Sequence, residues 1–258
     1  MDILGHRTWV SLGDDSDHDS GHDSAQTIVL LHGGLSNSDA MLNTIGQPLG
    51  GRYRVAAFDR RGHGRTADTG EPFHYSTMAD ETIAFLELLG CPAHLVGWSD
   101  GGNVGLLVAL RRPDLIRRLV MIGSNYHHDG LRPMGLDPQS PMAALLFEGY
   151  AERSPDGSGH FGVVLGKSLT MFASEPTLTV GDLGTVTVPV LVLVGDDDLI
   201  ELAHTCSLYE SIPGAQLAVV PGASHALPLE HTEQTAGIIG RFLEADLPPA
   251  TMMPSRRL

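Results

Sequence analysis

Short apolar runs recur along the chain between polar segments, and their spacing predicts strands alternating with helices. Residues 8–12 alternate in the manner of an edge strand, whereas Thr27–Leu31 is apolar almost throughout, the pattern of a strand covered on both faces. Similar runs at 53–58, 94–98, 116–122, 190–194 and 216–220 predict further strands. Helical periodicity falls between them, at 75–89, 103–111, 202–211 and 230–247. Apolar strands alternating with helices predict the α/β class: a mostly parallel, doubly wound sheet with helices on both faces.

Three segments break the alternation. Residues 125–187 mix Pro, Gly and Asp with apolar patches such as 142–147 and 165–172, and so large an interruption between two strands reads as a lid over the carboxyl end of the sheet. The core is then 1–124 with 188–247. Residues 13–25 carry no apolar side chain before Ala25 and read as an acidic, flexible loop. Their Asp15, Asp17, His18, Asp19 and His22 invite a metal-site reading. Counted from Asp15 as an EF-hand loop, however, the required Gly and Glu positions hold Ser20 and Gln26, so no metal is assigned. The tail 248–258 reads as frayed.

The 258 residues suffice for one large α/β domain. Net charge is -15, which argues against a nucleic-acid partner, since a phosphate backbone needs a basic face. No apolar run approaches the roughly 20 residues that span a bilayer, and the first residues do not open a signal peptide, so a membrane partner is not expected. Cys91 and Cys206 read as unpaired thiols of a reducing compartment, and cytoplasmic placement follows as an expectation. Oligomeric state is not legible.

Candidate chemistry centres on Gly97-Trp98-Ser99-Asp100-Gly101-Gly102, which lies between a strand run and a helical run. A serine flanked by glycines on a strand-to-helix turn is the G-x-S-x-G nucleophile elbow, whose tight turn exposes the hydroxyl. A serine hydroxyl needs a base, normally a histidine oriented by a carboxylate. Two loops after later strands offer them: Gly195-Asp196-Asp197-Asp198, and Pro221-Gly222-Ala223-Ser224-His225. Of 13 histidines, His225 is singled out by its Gly-containing loop directly after the last strand; His231, its nearest rival, falls on the final helix. At the end of the strand Thr27–Leu31, His32-Gly33-Gly34-Leu35 brings a backbone N–H toward the reacting carbonyl. Gly34, ahead of Leu35, is the expected oxyanion donor, joined by the N–H of Asp100.

Together with Asp59-Arg60-Arg61-Gly62-His63-Gly64-Arg65-Thr66, Gly195-x-x-Asp198 and Gly222-x-x-His225, these signposts resemble the α/β-hydrolase fold superfamily from Thr8 to about Leu247. The resemblance implies a lid inserted after strand 6, here the run 116–122, and a triad acid three residues after the strand-ending glycine, which selects Asp198. It implies a structural role for residues 59–66. The family's epoxide hydrolases and haloalkane dehalogenases carry an aspartate nucleophile, so Ser99 excludes their chemistry. The elbow is similar to that of valacyclovir-hydrolase-like enzymes, in which the aspartate after the serine holds a substrate ammonium. Asp100 would do so here, with Trp98 and Leu35 beside the substrate; otherwise Asp100 is a helix N-terminal charge facing away from the pocket.

The expectation is a cofactor-free serine hydrolase of small carboxylic esters, working through an acyl-enzyme with Ser99, His225 and Asp198. Met134, Met142, Leu145, Leu146, Phe147, Tyr150, Phe161, Leu165, Leu169, Met171 and Phe172 make the lid rich in apolar surface, so the ester is expected to carry an apolar part. The same constellation would serve C–C bond or lactone hydrolysis or a lyase, and a non-catalytic ligand-binding protein could keep the fold.

Overall fold

Because seven runs are apolar on both faces or one, they stack into one sheet whose two faces are both covered. In a computed structural model that describes residues 1–13, 26–132, 140–246, 249 and 251–253, the strands are β1 Val10–Leu12, β2 Thr27–Leu31, β3 Arg54–Phe58, β4 Ala93–Trp98, β5 Ile116–Ile122, β6 Val190–Asp197 and β7 Gln216–Ser224. Their spatial order is β1-β3-β2-β4-β5-β6-β7, with β1 antiparallel to β3 and all other pairs parallel. A separate antiparallel ribbon pairs Asp2–Ile3 with His6–Arg7. Every residue of β2 and of β4 is buried, as expected for central strands.

The chain steps outward from β2 to β3 and then crosses back to β4, so the loops after β2 and β4 diverge at the crevice between them. That switch point is where open α/β sheets hold ligands. One face of the sheet is covered by α1 Tyr75–Leu89 and α2 Asp100–Arg111, which contribute Phe85, Leu86, Val104 and Val108 to its core. The other face is covered by residues 38–50 and by the last helix, through Met41, Ile45, Ile239 and Phe242.

The segment between β5 and β6 contains α3 Pro141–Arg153 and α4 Phe161–Phe172. Ser140 caps α3 by accepting the Ala143 N–H. Two acidic side chains of the core hold these helices down. Asp39 accepts from Arg153 at 2.8 Å and from Arg65 at 2.7 Å, and Asp68 meets Lys167 and His160 at 2.8 Å each. The apolar residues of this segment divide: Tyr150 and Met171 join the core, while Leu145, Phe147 and Leu169 stay exposed. Met134 lies outside the described residues, as do 14–25 and most of 248–258, on which the acidic-loop and frayed-tail expectations fall.

Several boundaries differ from expectation. The segment follows the fifth strand of this sheet in chain order, not the sixth, because a single edge strand, β1, precedes β2 in it. Strands β6 and β7 continue to Asp197 and Ser224, where Asp197 pairs with Ser224. The helix expected at 230–247 is a turn, Leu227–Glu230, followed by α6 Thr232–Glu244, with α5 Leu202–Ser211 earlier. His231 sits at their junction, outside both helices, and its Nε2 lies 3.2 Å from the Gly222 carbonyl. Cys91 and Cys206 are both free. No helix among the described residues is long and apolar enough to cross a membrane.

Beneath the switch point, His32, Arg60 and His63 are buried together. His32 Nε2 accepts the Arg60 N–H, and Arg60 Nη2 donates to the Gly33 carbonyl, both at 3.1 Å. Burial, reinforced by the Arg60 guanidinium, drives the His63 pKa from 6.5 down to about 3, and lowers that of His32 as well. His63 is therefore neutral when folded but binds a proton when unfolded below about pH 6.5. Its contribution is complete above that value and is lost as pH falls toward 3. Melting temperature should fall between pH 7 and pH 5, and His63→Gln should flatten the decline by about 2 kcal/mol of differential stability at about pH 5. Identical pH slopes for the two proteins would refute the assignment.

Candidate active site

The elbow is built by close backbone packing. A Cβ on Gly97 would strike the Gly101 backbone, and one on Gly101 would strike the Leu31 carbonyl, so both positions require glycine. Between them Ser99 adopts φ 54° and ψ -117°, a conformation that strains any L-residue. Its N–H donates to the Ile122 carbonyl at 2.7 Å, which ties the turn to β5 and leaves the hydroxyl at the sheet's edge. Helix α2 begins at Asp100, three residues before the expected start.

The structure brings three side chains from three separate elements into one line. His225 Nε2 lies 3.0 Å from Ser99 Oγ, and His225 Nδ1 lies 2.8 Å from Asp198 Oδ1. The same Asp198 oxygen accepts the Ile200 N–H at 2.9 Å, fixing the carboxylate's orientation. Asp198 is 5% exposed, which sets it apart from its two neighbours. Asp196 is exposed and accepts the Gly222 N–H at 2.7 Å, and Asp197 is exposed at the cavity wall. With one nitrogen on a carboxylate and the other on a hydroxyl, the imidazole can take the serine proton while the carboxylate stabilises the cation formed.

Gly33, Gly34 and Leu35 line the cavity in front of Ser99, and Leu35 has φ 58°, so the chain turns sharply there. The N–H of Asp100 is the first of α2 and has no acceptor within the helix. A Cβ on Gly34 would crowd Asp100 Oδ2 at 2.5 Å and Phe172 at 2.7 Å, so glycine is required where this turn meets α2 and α4. The cavity has a volume of about 270 Å³ and is mostly apolar, with Trp98, Met142, Leu146, Phe172 and Leu199 around Ser99 and His225.

The Asp100 side chain is not among the cavity walls. Its Oδ1 accepts the Tyr75 hydroxyl at 2.7 Å, and Oδ2 is buried without a partner among the described residues. Burial pushes its pKa up, against the opposing pull of the Arg60 guanidinium. The carboxylate is held from α1 by the Tyr75 hydroxyl, while its unpartnered Oδ2 lies beside Gly34, a residue of the cavity wall. Trp98 and Leu35 do line the cavity.

Sequence reasoning missed several supporting residues. Gly123, with φ 55°, backs the histidine–aspartate contact; a Cβ there would approach Asp198 Oδ2 at 3.0 Å and His225 Nδ1 at 3.1 Å. The Trp98 indole donates to the His225 carbonyl at 2.8 Å. Asn103 and Asn125 bond reciprocally at 2.8 and 2.9 Å, joining α2 to the exit of β5. A Gly-Ser-Asn run directly after β5 was the available signal for this cluster.

One group among the described residues has metal-ligand spacing. His127, His128 and Asp129 offer atoms within 4.8 Å of one another, shortly after β5 and outside the Ser99 cavity. Both imidazoles already face the Asp129 carboxylate, at 3.4 and 3.3 Å, which ordinary ion pairing explains.

A model of the alpha/beta hydrolase family matches residues 28–238. The chain is 28% identical over 249 residues to a Caulobacter protein named "Putative carbamate hydrolase RutD", covering 86% of this chain and 92% of that one. It is 29% identical over 251 residues to a pimeloyl-[acyl-carrier protein] methyl ester esterase of Neisseria meningitidis serogroup B, covering 87% and 95%. Among solved structures, an enol-lactonase from Burkholderia xenovorans superposes with a TM-score of 0.72 at 20% identity, covering 94% of this chain and 98% of that one. At that identity the likeness concerns the fold.

Proposed function

The chain belongs to the alpha/beta hydrolase family, and from the double contact of His225 with Ser99 and Asp198 we propose that it is a serine hydrolase of small carboxylic esters. Ser99 Oγ attacks the ester carbonyl as His225 Nε2 takes its proton. The carbonyl oxygen, now negative, is held by the N–H groups of Gly34 and Asp100. The C–O bond to the alcohol then breaks, and His225 returns the proton to the departing oxygen. Water, deprotonated by the same imidazole, attacks the acyl-enzyme and releases the carboxylic acid, and Ser99 recovers its proton. Asp198 stays ionised and stabilises the imidazolium in both halves.

Support for an ester comes from the relatives, whose names include a methyl ester esterase, and from the apolar walls around Ser99, which suit an apolar acyl or alcohol group. The observation that carries the reading is the 3.0 Å contact between base and nucleophile. A fluorophosphonate probe should label the wild-type protein on Ser99, with the modified peptide identified by mass spectrometry. A wild-type protein that resists the probe and hydrolyses no short p-nitrophenyl ester would overturn the proposal.

A further inference from the structure

A second cavity, of about 330 Å³, opens directly beside the first. The two share Leu35, Trp98, Met142 and Leu146 as walls, so they adjoin across these four residues. Their chemistry differs. Beyond the shared apolar ring, the second space is walled by Ser36, Asn37, Asn43 and Thr44 from the core and by Glu148 and Glu152 from α3.

Ser36 is 8% exposed and lines this space, and its hydroxyl has no hydrogen-bond partner among the described residues. Its oxygen stays accessible and is free to donate to or accept from a bound group. Asn37 uses its carbonyl oxygen to accept the Asp39 N–H, which leaves its amide N–H₂ as a donor. The one cation of the wall, Arg153, is engaged by Asp39 and Glu152, whereas Glu148 has no ion pair among the described residues. The chamber thus offers neutral hydrogen-bonding groups in a field of negative sign.

Building on the hydrolase reading, we propose that the second chamber binds a neutral, hydroxyl-bearing end of the same substrate molecule and rejects an anionic one. The substrate class is then an amphiphilic ester, apolar next to the reacting carbonyl and polar but not acidic at the far end. A hydroxyl there can pair with Ser36 and Asn37, while a carboxylate would meet the negative field of the exposed Glu148 and Glu152.

Two matched ester series test this, one with the end group on the alcohol chain and one with it on the acyl chain, each ending in methyl, hydroxyl or carboxylate. In at least one series the hydroxyl-ended ester should exceed the carboxylate-ended one by about 10-fold or more in kcat/KM, chiefly through KM. Ser36→Ala should lower the hydroxyl-ended ester by about 5-fold and leave the methyl-ended one unchanged. Glu148→Lys should raise the carboxylate-ended ester selectively, with an effect that shrinks at high salt. Equal hydrolysis of all three end groups in both series, or a Ser36→Ala effect shared by all three, refutes the chamber assignment while the hydrolase reading stands. If wild-type protein hydrolyses none of the esters and resists the phosphonate probe, both fall together.

Discussion

Replacing Ser99 with alanine is expected to lower kcat/KM for any ester the protein hydrolyses by about 10⁴–10⁶-fold, the range seen when a triad nucleophile is removed. On the proposed mechanism, what remains is attack by water on a carbonyl that the Gly34 and Asp100 N–H groups would still hold. The change is isolated because the Ser99 hydroxyl contributes little to the fold: it meets His225, while the turn itself is held by the Ser99 N–H on the Ile122 carbonyl. Alanine keeps the Cβ and therefore keeps the strain at φ 54°, so the melting temperature should move little. Kinetics and melting curves on the same samples separate loss of chemistry from loss of structure. A variant that retains more than about a tenth of wild-type activity would remove Ser99 from the reaction.

The elements that were legible in the sequence are those set by local pattern. β2 and β5 and helix α1 fall where apolar periodicity put them, since covered strands and amphipathic helices bury the residues their period selects. Boundaries failed where tertiary pairing extended an element. β6 and β7 run on to Asp197 and Ser224 because these ends pair with each other, through a Gly-Asp-Asp and a Pro-Gly-Ala-Ser stretch that carry no strand-like apolar run. The Ser99–His225 contact spans 126 positions, yet both residues sit on turns at strand ends, and parallel strands carry all such turns to one edge.

Less legible was anything decided by side-chain direction in three dimensions. Asp100 follows the nucleophile in the sequence, but only the approach of α1 brings the Tyr75 hydroxyl to its carboxylate. Gly123 carried no signal of its own in the sequence, since its reason, the ring and carboxylate packed against it, comes from two other loops. The second chamber depends on α3 lying over residues 35–44, an arrangement of lid on core that no local period encodes.

Asp198→Asn is expected to reduce kcat by about 10⁴-fold with little change in fold, the size found when a triad aspartate is replaced by its amide. The cause is the proton on the ring. Asp198 Oδ1 can only accept, so it holds the His225 proton on Nδ1 and leaves Nε2 free to take the Ser99 proton. Oδ1 also accepts the Ile200 N–H, so an asparagine keeps its carbonyl oxygen on Ile200 or turns its N–H₂ toward the ring. In the second orientation the ring proton moves to Nε2 and the base is blocked; in the first, a neutral oxygen no longer offsets the imidazolium charge. Asp198 Oδ2 is buried without a partner among the described residues, so no neighbour stands ready to replace the lost charge. Asp197→Asn and Asp196→Asn serve as the comparison. Both side chains are exposed, and Asp196 holds only the Gly222 N–H, so each should retain activity within about 3-fold. Measured side by side at neutral pH, the three variants decide which aspartate orients the base. A larger loss at Asp197 than at Asp198 would reassign the role, and it would mean that the 2.8 Å contact of Asp198 with His225 serves the fold alone.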